Sequence, residues 1–189
     1  MQNPTRAHAF RARNDAHMSD AVPSVRWSLP DGREATLRPI APDDFAIESA
    51  FLDSLSMESS YNRLFSTRHP SPEEIRRWTD IDPAHEVAFI VTTRDASGDE
   101  AMLAVGRAVH DDDGAEFALL VGDACKRMGL GRRLLEALIA AARARGVGEL
   151  HGTTLSTNVE MLGLAQRLGF SARRVIGESF VTRLSLRLN

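Results

Sequence analysis

The chain has 189 residues, 43% of them hydrophobic, enough to bury one substantial core and too few for a second complete domain. Its 23 basic and 26 acidic side chains are interspersed and leave a net charge of -3, which argues against a surface for nucleic acid. Cys125 is the single cysteine, so no intrachain disulfide can form, and no apolar run approaches the roughly 20 residues of a membrane span. A cytoplasmic location is the default expectation.

Residues 1–24 carry Arg6, Arg11 and Arg13 with little apolar content and no apolar centre of a signal peptide. They read as a flexible tail ahead of one domain over 25–189, although an arginine-rich organelle address looks similar. Strand signals begin at residues 34–40, where Ala35, Leu37 and Pro39 alternate with Thr36 and Arg38. Pro42-Asp43-Asp44 then opens a helix over 43–55. Ser71-Pro72-Glu73-Glu74 starts another, to about residue 79, because serine caps, proline suits the first turn and glutamates favour the positive helix end. Strands follow over 87–93, 101–109 and 115–121, separated by Ser97-Gly98 and by Asp111-Asp112-Asp113-Gly114, and form an antiparallel meander.

The period then changes. Leu130, Leu134, Leu135, Leu138, Ile139 and Ala142 recur at helical spacing until Gly146. A strand over 149–155, a helix over 158–168 closed by Gly169, and strands over about 171–176 and 179–188 complete the chain. Phe180, Leu184, Leu186 and Leu188 share one face of the last strand, which can serve a homodimer as easily as the core. The plan is mixed α+β, a largely antiparallel sheet flanked by helices. His85, His110 and His151 are scattered without metal-ligand spacing, and no metal is expected.

Lys126-Arg127-Met128-Gly129-Leu130-Gly131 joins the third meander strand to the long helix. Glycines there leave backbone N–H groups and the positive end of the helix dipole free to meet an anion. A P-loop needs Gly-Lys-Ser or Gly-Lys-Thr, and Gly131 is followed by Arg132-Arg133. A dinucleotide fingerprint needs a third glycine, and Leu134 stands there. The P-loop reading fails and the dinucleotide reading is weak, which leaves a phosphate cradle of some kind beside the plainer reading of a glycine-softened loop before an ordinary helix.

In this context the sequence resembles the GNAT acetyltransferase superfamily, whose signature is Arg or Gln, two residues, Gly, any residue, then Gly or Ala. Lys126 occupies the Arg/Gln place, and Cys125 stands where relatives often have an aromatic residue. The stretches Leu37-Arg38-Pro39-Ile40, Leu55-Ser56-Met57-Glu58-Ser59-Ser60-Tyr61-Asn62-Arg63, Ala115-Glu116-Phe117-Ala118 and Asn158-Val159-Glu160-Met161-Leu162 look like the GNAT domain of bacterial protein lysine acetyltransferases. The resemblance runs from about Ala35 to the C-terminus. It implies a GNAT acyl-CoA N-acyltransferase-like fold, acetyl-CoA as donor, and a primary amine as acceptor, first of all a protein lysine. A small-molecule amine acceptor and a non-catalytic acyl-CoA-binding sensor are the alternatives.

Glu116 is the candidate general base, since an amine enters protonated and must lose a proton before it attacks a thioester. Partial burial is expected to tune it, against a reading as a solvent-facing or arginine-paired carboxylate. By resemblance, backbone groups of Leu119, Leu120 and Val121 meet the pantetheine arm, unless these residues are core alone. Lys126, Arg127, Met128, Gly129, Leu130, Gly131 and Arg132 surround the pyrophosphate. Asn158 either touches the pantetheine or simply caps its helix. Tyr61 lines the acceptor site or packs in the core. Many GNAT enzymes carry a tyrosine that protonates the leaving thiolate, but Leu164-Ala165-Gln166-Arg167 occupies that stretch, so no general acid is assigned. Cys125, beside Lys126 and Arg127, could accept acetyl covalently, a minor reading. Asp111, Asp112 and Asp113 read as a solvated turn.

Overall fold

A computed structural model describes residues 24–64 and 68–188, with backbone alone at 61–64 and 179. Eight strands form one sheet: β1 Val25–Ser28, β2 Glu34–Pro39, β3 Glu86–Arg94, β4 Glu100–Asp111, β5 Gly114–Val121, β6 Glu149–Leu155, β7 Ser171–Val175 and β8 Glu178–Arg187. Their spatial order is β1-β2-β3-β4-β5-β6-β8-β7. Every neighbouring pair is antiparallel except β5 and β6. The helices are α1 Phe45–Asp53, α2 Met57–Leu64, α3 Pro72–Thr79, α4 Leu130–Ala144 and α5 Val159–Arg167.

Two elements add to the sequence-based order. β1 is a four-residue edge strand, largely exposed, that pairs with β2 around a turn in which Gly32 takes φ +86°. Its brevity and exposure leave almost no apolar alternation to detect. The second is α2, whose polar residues follow Ser56, and the Ser56 hydroxyl accepts the Ser59 N–H at 3.2 Å as a cap. The helix expected from residue 43 begins instead as a 3-10 turn at Pro42–Asp44.

The resemblance motif around Arg38 has a structural explanation. Its guanidinium forks onto Asp44, Nη1 to Oδ2 at 2.8 Å and Nη2 to Oδ1 at 2.7 Å, while Asp44 Oδ2 also accepts the Ala41 N–H. This bidentate pair fixes the path from β2 into α1. At α3 the capping box forms as expected: Ser71 Oγ accepts the Glu74 N–H and Glu74 Oε2 accepts the Ser71 N–H.

Each face of the sheet has its own core. On one face α4 buries Leu130, Leu134, Leu135, Leu138, Ile139 and Ala142, the six positions its period marked, against strand residues such as Val91, Phe117 and Leu150. On the other, α1 and α3 bring Phe51, Leu52 and Ile75 onto Ile90, Val105 and Leu120. Leu184 and Leu188 are buried, whereas Phe180 is 60% exposed, so the face that bore all four residues is core at one end only.

Candidate active site

The sheet opens in its middle. β5 and β6 pair through only two residue couples, Ala115 with Leu150 and Glu116 with His151. Beyond them the β6-facing edge of β5 has no ladder partner, and a cleft of about 800 Å³ lies between the separating strands. Gly152 sits at the point of divergence: a Cβ there would stand 2.8 Å from the Phe117 carbonyl oxygen and 3.0 Å from its ring. The missing side chain lets the strands meet at the apex. Phe117 then packs on Phe170, ring centroids 5.2 Å apart, and closes the fork on the α4 side.

Ladder partners share a face of the sheet, so Glu116, Ala118 and Leu120 point to the α1–α3 side and Phe117 and Leu119 to the α4 side. Glu116, Leu119, Leu120 and Val121 all line the cleft, as do Lys126, Arg127, Gly129, Leu130, Gly131, Arg132 and Asn158. Of the residues singled out from sequence for the cofactor, Met128 is not in this lining; it borders a shallower depression with Trp27 and Arg133. Tyr61 lies on α2, with its side chain outside the described residues.

The expected partial burial of Glu116 is not found. Its side chain is exposed, because it stands where the strands part and faces the open mouth. It makes no hydrogen bond or ion pair among the described residues. Its ladder neighbour His151 is 5% exposed, with Nε2 3.0 Å and 3.2 Å from the two carboxylate oxygens of Asp111. Burial alone would raise the Asp111 carboxyl; the His151 contact and the backbone N–H groups of Asp113 and Gly114 outweigh it and hold the group below its ordinary value. Asp111 and Asp113 are therefore engaged within the turn, Asp113 reaching Arg183 at 3.4 Å.

At the other end, the loop before α4 is built to leave N–H groups free. Arg127 takes φ +62° and Gly129 φ +84°, the left-handed turns that lead the chain into α4, while the Met128 N–H donates back to the Cys125 carbonyl at 3.4 Å. The first N–H groups of α4, from Leu130 onward, have no intrahelical acceptor. The two glycines serve different ends. Gly129 is needed for its backbone conformation, whereas at Gly131 a Cβ would stand 3.3 Å from the Leu164 side chain on α5. Gly129→Ala is therefore expected to cost about 1 kcal/mol in urea unfolding, and Gly131→Ala less, because leucine methyl groups can yield.

The cations of this loop differ in freedom. Lys126 Nζ donates to Asp123 at 2.8 Å; that bond, reinforced by Glu160 and Glu58, raises the Lys126 amine above its ordinary value. Arg132 is exposed and pairs with Glu136 one turn on. Arg127 is exposed at the cleft wall. Cys125 is buried in the α4-side core, where its Sγ accepts from Arg33 at 3.5 Å, a setting of packing. Asn158 Oδ1 accepts the Met161 N–H at 3.1 Å, so it caps α5 while lining the cleft. Leu164 and Arg167 line the wall where a tyrosine would stand, and no tyrosine occurs among the described lining residues. Sequence reasoning missed Ser59, which is 4% exposed and lines the cleft, and Asp123, whose role depends on long-range contacts.

Among the described residues no group of three His, Cys, Asp or Glu side chains could hold a metal ion, and no helix is long and apolar enough to cross a membrane. Comparison with known proteins agrees with the forked sheet. An acetyltransferase of Pseudomonas aeruginosa is 28% identical over 177 residues, covering 92% of this chain and 91% of that protein. Acetyltransferase Pat of Mycolicibacterium smegmatis is 29% identical over 133 residues, 70% of this chain but only 40% of Pat. Among solved structures, the GNAT domain of S. lividans PAT superposes with a TM-score of 0.74 at 29% identity, covering 87% of this chain and 97% of that one. The Salmonella typhimurium protein yncA, solved with its cofactor acetyl-CoA, shares the fold at a TM-score of 0.66 and 19% identity, over 82% and 94% of the two chains. Residues 54–170 match the acetyltransferase (GNAT) family, and the chain belongs to it.

Proposed function

We propose that this acetyltransferase moves the acetyl group of acetyl-CoA to a primary amine, a protein lysine side chain, by direct attack with Glu116 as general base. The observation that carries this reading is the fork: one continuous cleft is lined by Glu116 at the apex and by Gly129, Leu130 and Gly131, where the first N–H groups of α4 lack an intrahelical acceptor. An extended donor with phosphates at one end and a thioester at the other fits that layout. The fit rests on three features of the chain: an anion cradle, an unpaired β5 edge at 118–121 that can hydrogen-bond an amide-bearing arm, and a carboxylate at the mouth.

The chemistry asked of the residues is limited. Glu116 accepts a proton from the incoming ammonium, directly or through one water; the freed amine bonds to the acetyl carbon, its nitrogen then releases its second proton to water, and the sulfur leaves with the electron pair of its bond. A backbone N–H on β5 stabilises the negative charge on the carbonyl oxygen. The thiolate takes its proton from water. Arg127 and Arg132 neutralise phosphate charge, and Asn158 keeps its amide nitrogen free for the arm while its oxygen caps α5.

A lysine acceptor is supported by the likeness of residues 55–63 and 115–118 to protein lysine acetyltransferases. The apolar side chains Met57 and Val159, 79% and 74% exposed on α2 and α5, offer contact to a polypeptide beyond the reacting amine. Thiol release from acetyl-CoA with a panel of acceptors tests this. Lysine peptides are expected to be turned over at the highest kcat/KM. Exclusive use of small amines would replace the acceptor class, and tight CoA binding without thiol release would leave a sensor.

A further inference from the structure

Asp123, in the short turn Asp123–Cys125 between β5 and the 126–131 loop, is the meeting point of four donors. Its Oδ1 accepts from Lys126 Nζ at 2.8 Å, from Ser59 Oγ at 2.7 Å and from Ser56 Oγ at 3.2 Å; its Oδ2 accepts the Ser56 N–H at 2.8 Å. Three of these donors belong to the first turn of α2. Burial alone would raise the Asp123 carboxyl, but Lys126 and the serine donors outweigh it and hold the group well below the usual carboxylate range.

The turn itself has little freedom. The Gly122 N–H donates to the Leu103 carbonyl at 2.9 Å, and a Cβ on Gly122 would stand 3.2 Å from both that carbonyl and the Phe51 ring. Asp123 is thus anchored to β4 and α1, and α2 is the element that follows. α2 contacts both β5 and β6, so it spans the fork, and in the proposed reading it borders the acceptor's path. Of its described side chains, 57–60, Ser59 is the buried one, and it is the link to the turn.

We propose that Asp123 is a positioning residue that ties α2 to the cofactor loop, so that filling the loop with CoA phosphates steadies the acceptor side of the cleft. The inference rests on the reading of residues 126–132 as the CoA cradle. Ordering of the loop restrains Asp123 and Lys126, and through two serines it restrains α2; the coupling is a free energy shared by both sites, so acceptor binding favours CoA in return.

Hydrogen exchange of the α2 amides with and without CoA tests it independently of which amine is acetylated. In the native protein CoA is expected to slow α2 exchange about threefold or more, while in Asp123→Ala and Ser59→Ala it does not, with CoA affinity by calorimetry kept within about fivefold. In turnover of a lysine peptide, both variants are expected to lose about tenfold in acceptor kcat/KM and, at saturating peptide, to show a raised KM for acetyl-CoA, while CoA affinity without peptide holds, a split that general destabilisation does not produce. Equal α2 exchange with and without CoA in the native protein overturns the proposal, as does slowing that survives in Ser59→Ala. Ser59→Ala leaves the turn and the Lys126 pair intact and carries the comparison if Asp123→Ala does not fold. Failure of CoA to bind the native protein would instead overturn the cradle reading and this inference with it; binding without peptide turnover touches only the proposed acceptor.

Discussion

Glu116→Gln is expected to lower kcat about 100-fold or more at saturating lysine peptide, while acetyl-CoA binding by calorimetry changes less than about twofold. The reason is protonation. A lysine amine with a pKa near 10.4 is free of its proton only about once in a few thousand molecules at pH 7, so a base at the mouth of the cleft decides how often attack begins. Glutamine keeps the size of the side chain and its place between Val109 and His151 in the ladder, and removes only the ability to take the proton. The deficit should narrow as pH approaches 10, where the acceptor deprotonates without help. A deficit that stays constant across that range, or none at pH 7, would remove Glu116 from the proton transfer.

Gly152→Ala is expected to destabilise the protein by about 3 kcal/mol in urea unfolding, near the upper end of overpacking effects. The added methyl meets a backbone oxygen, that of Phe117, at 2.8 Å, and a backbone atom of a strand held in the β4–β5 ladder cannot rotate aside as a leucine methyl can. The only relief is to move β6 from β5 at the apex, where just two residue couples hold the strands together. The cleft should therefore loosen as well, and weaker acetyl-CoA binding is expected alongside the lower unfolding midpoint. A variant as stable as the native protein would show that the apex has more room than the distances imply.

Much of this was legible in the residues because it is local. The period of Leu130, Leu134 and Leu138, the capping box at Ser71 and Glu74, the Asp-Gly turn before β5 and the paired glycines at 129 and 131 are each written within a few positions. What was not legible is long-range. The link from Asp123 to Ser56 and Ser59 spans more than sixty positions and leaves no pattern in either segment. The exposure of Glu116 depends on where β5 and β6 stop pairing, which a strand apolar at every position from 117 to 121 does not announce. His151, one of six histidines in the sequence, becomes a neighbour of Glu116 only through the parallel register.

The ion pair between Lys126 and Asp123 also bears on self-modification. Of the 23 basic side chains, Lys126 is the sole lysine, and every other is an arginine, whose guanidinium stays protonated and offers no free amine. That one amine is held as an ammonium against Asp123. Under the proposed lysine acceptor, the protein has almost no lysine of its own to acetylate, so acetyl-lysine formed in its presence would belong to the acceptor.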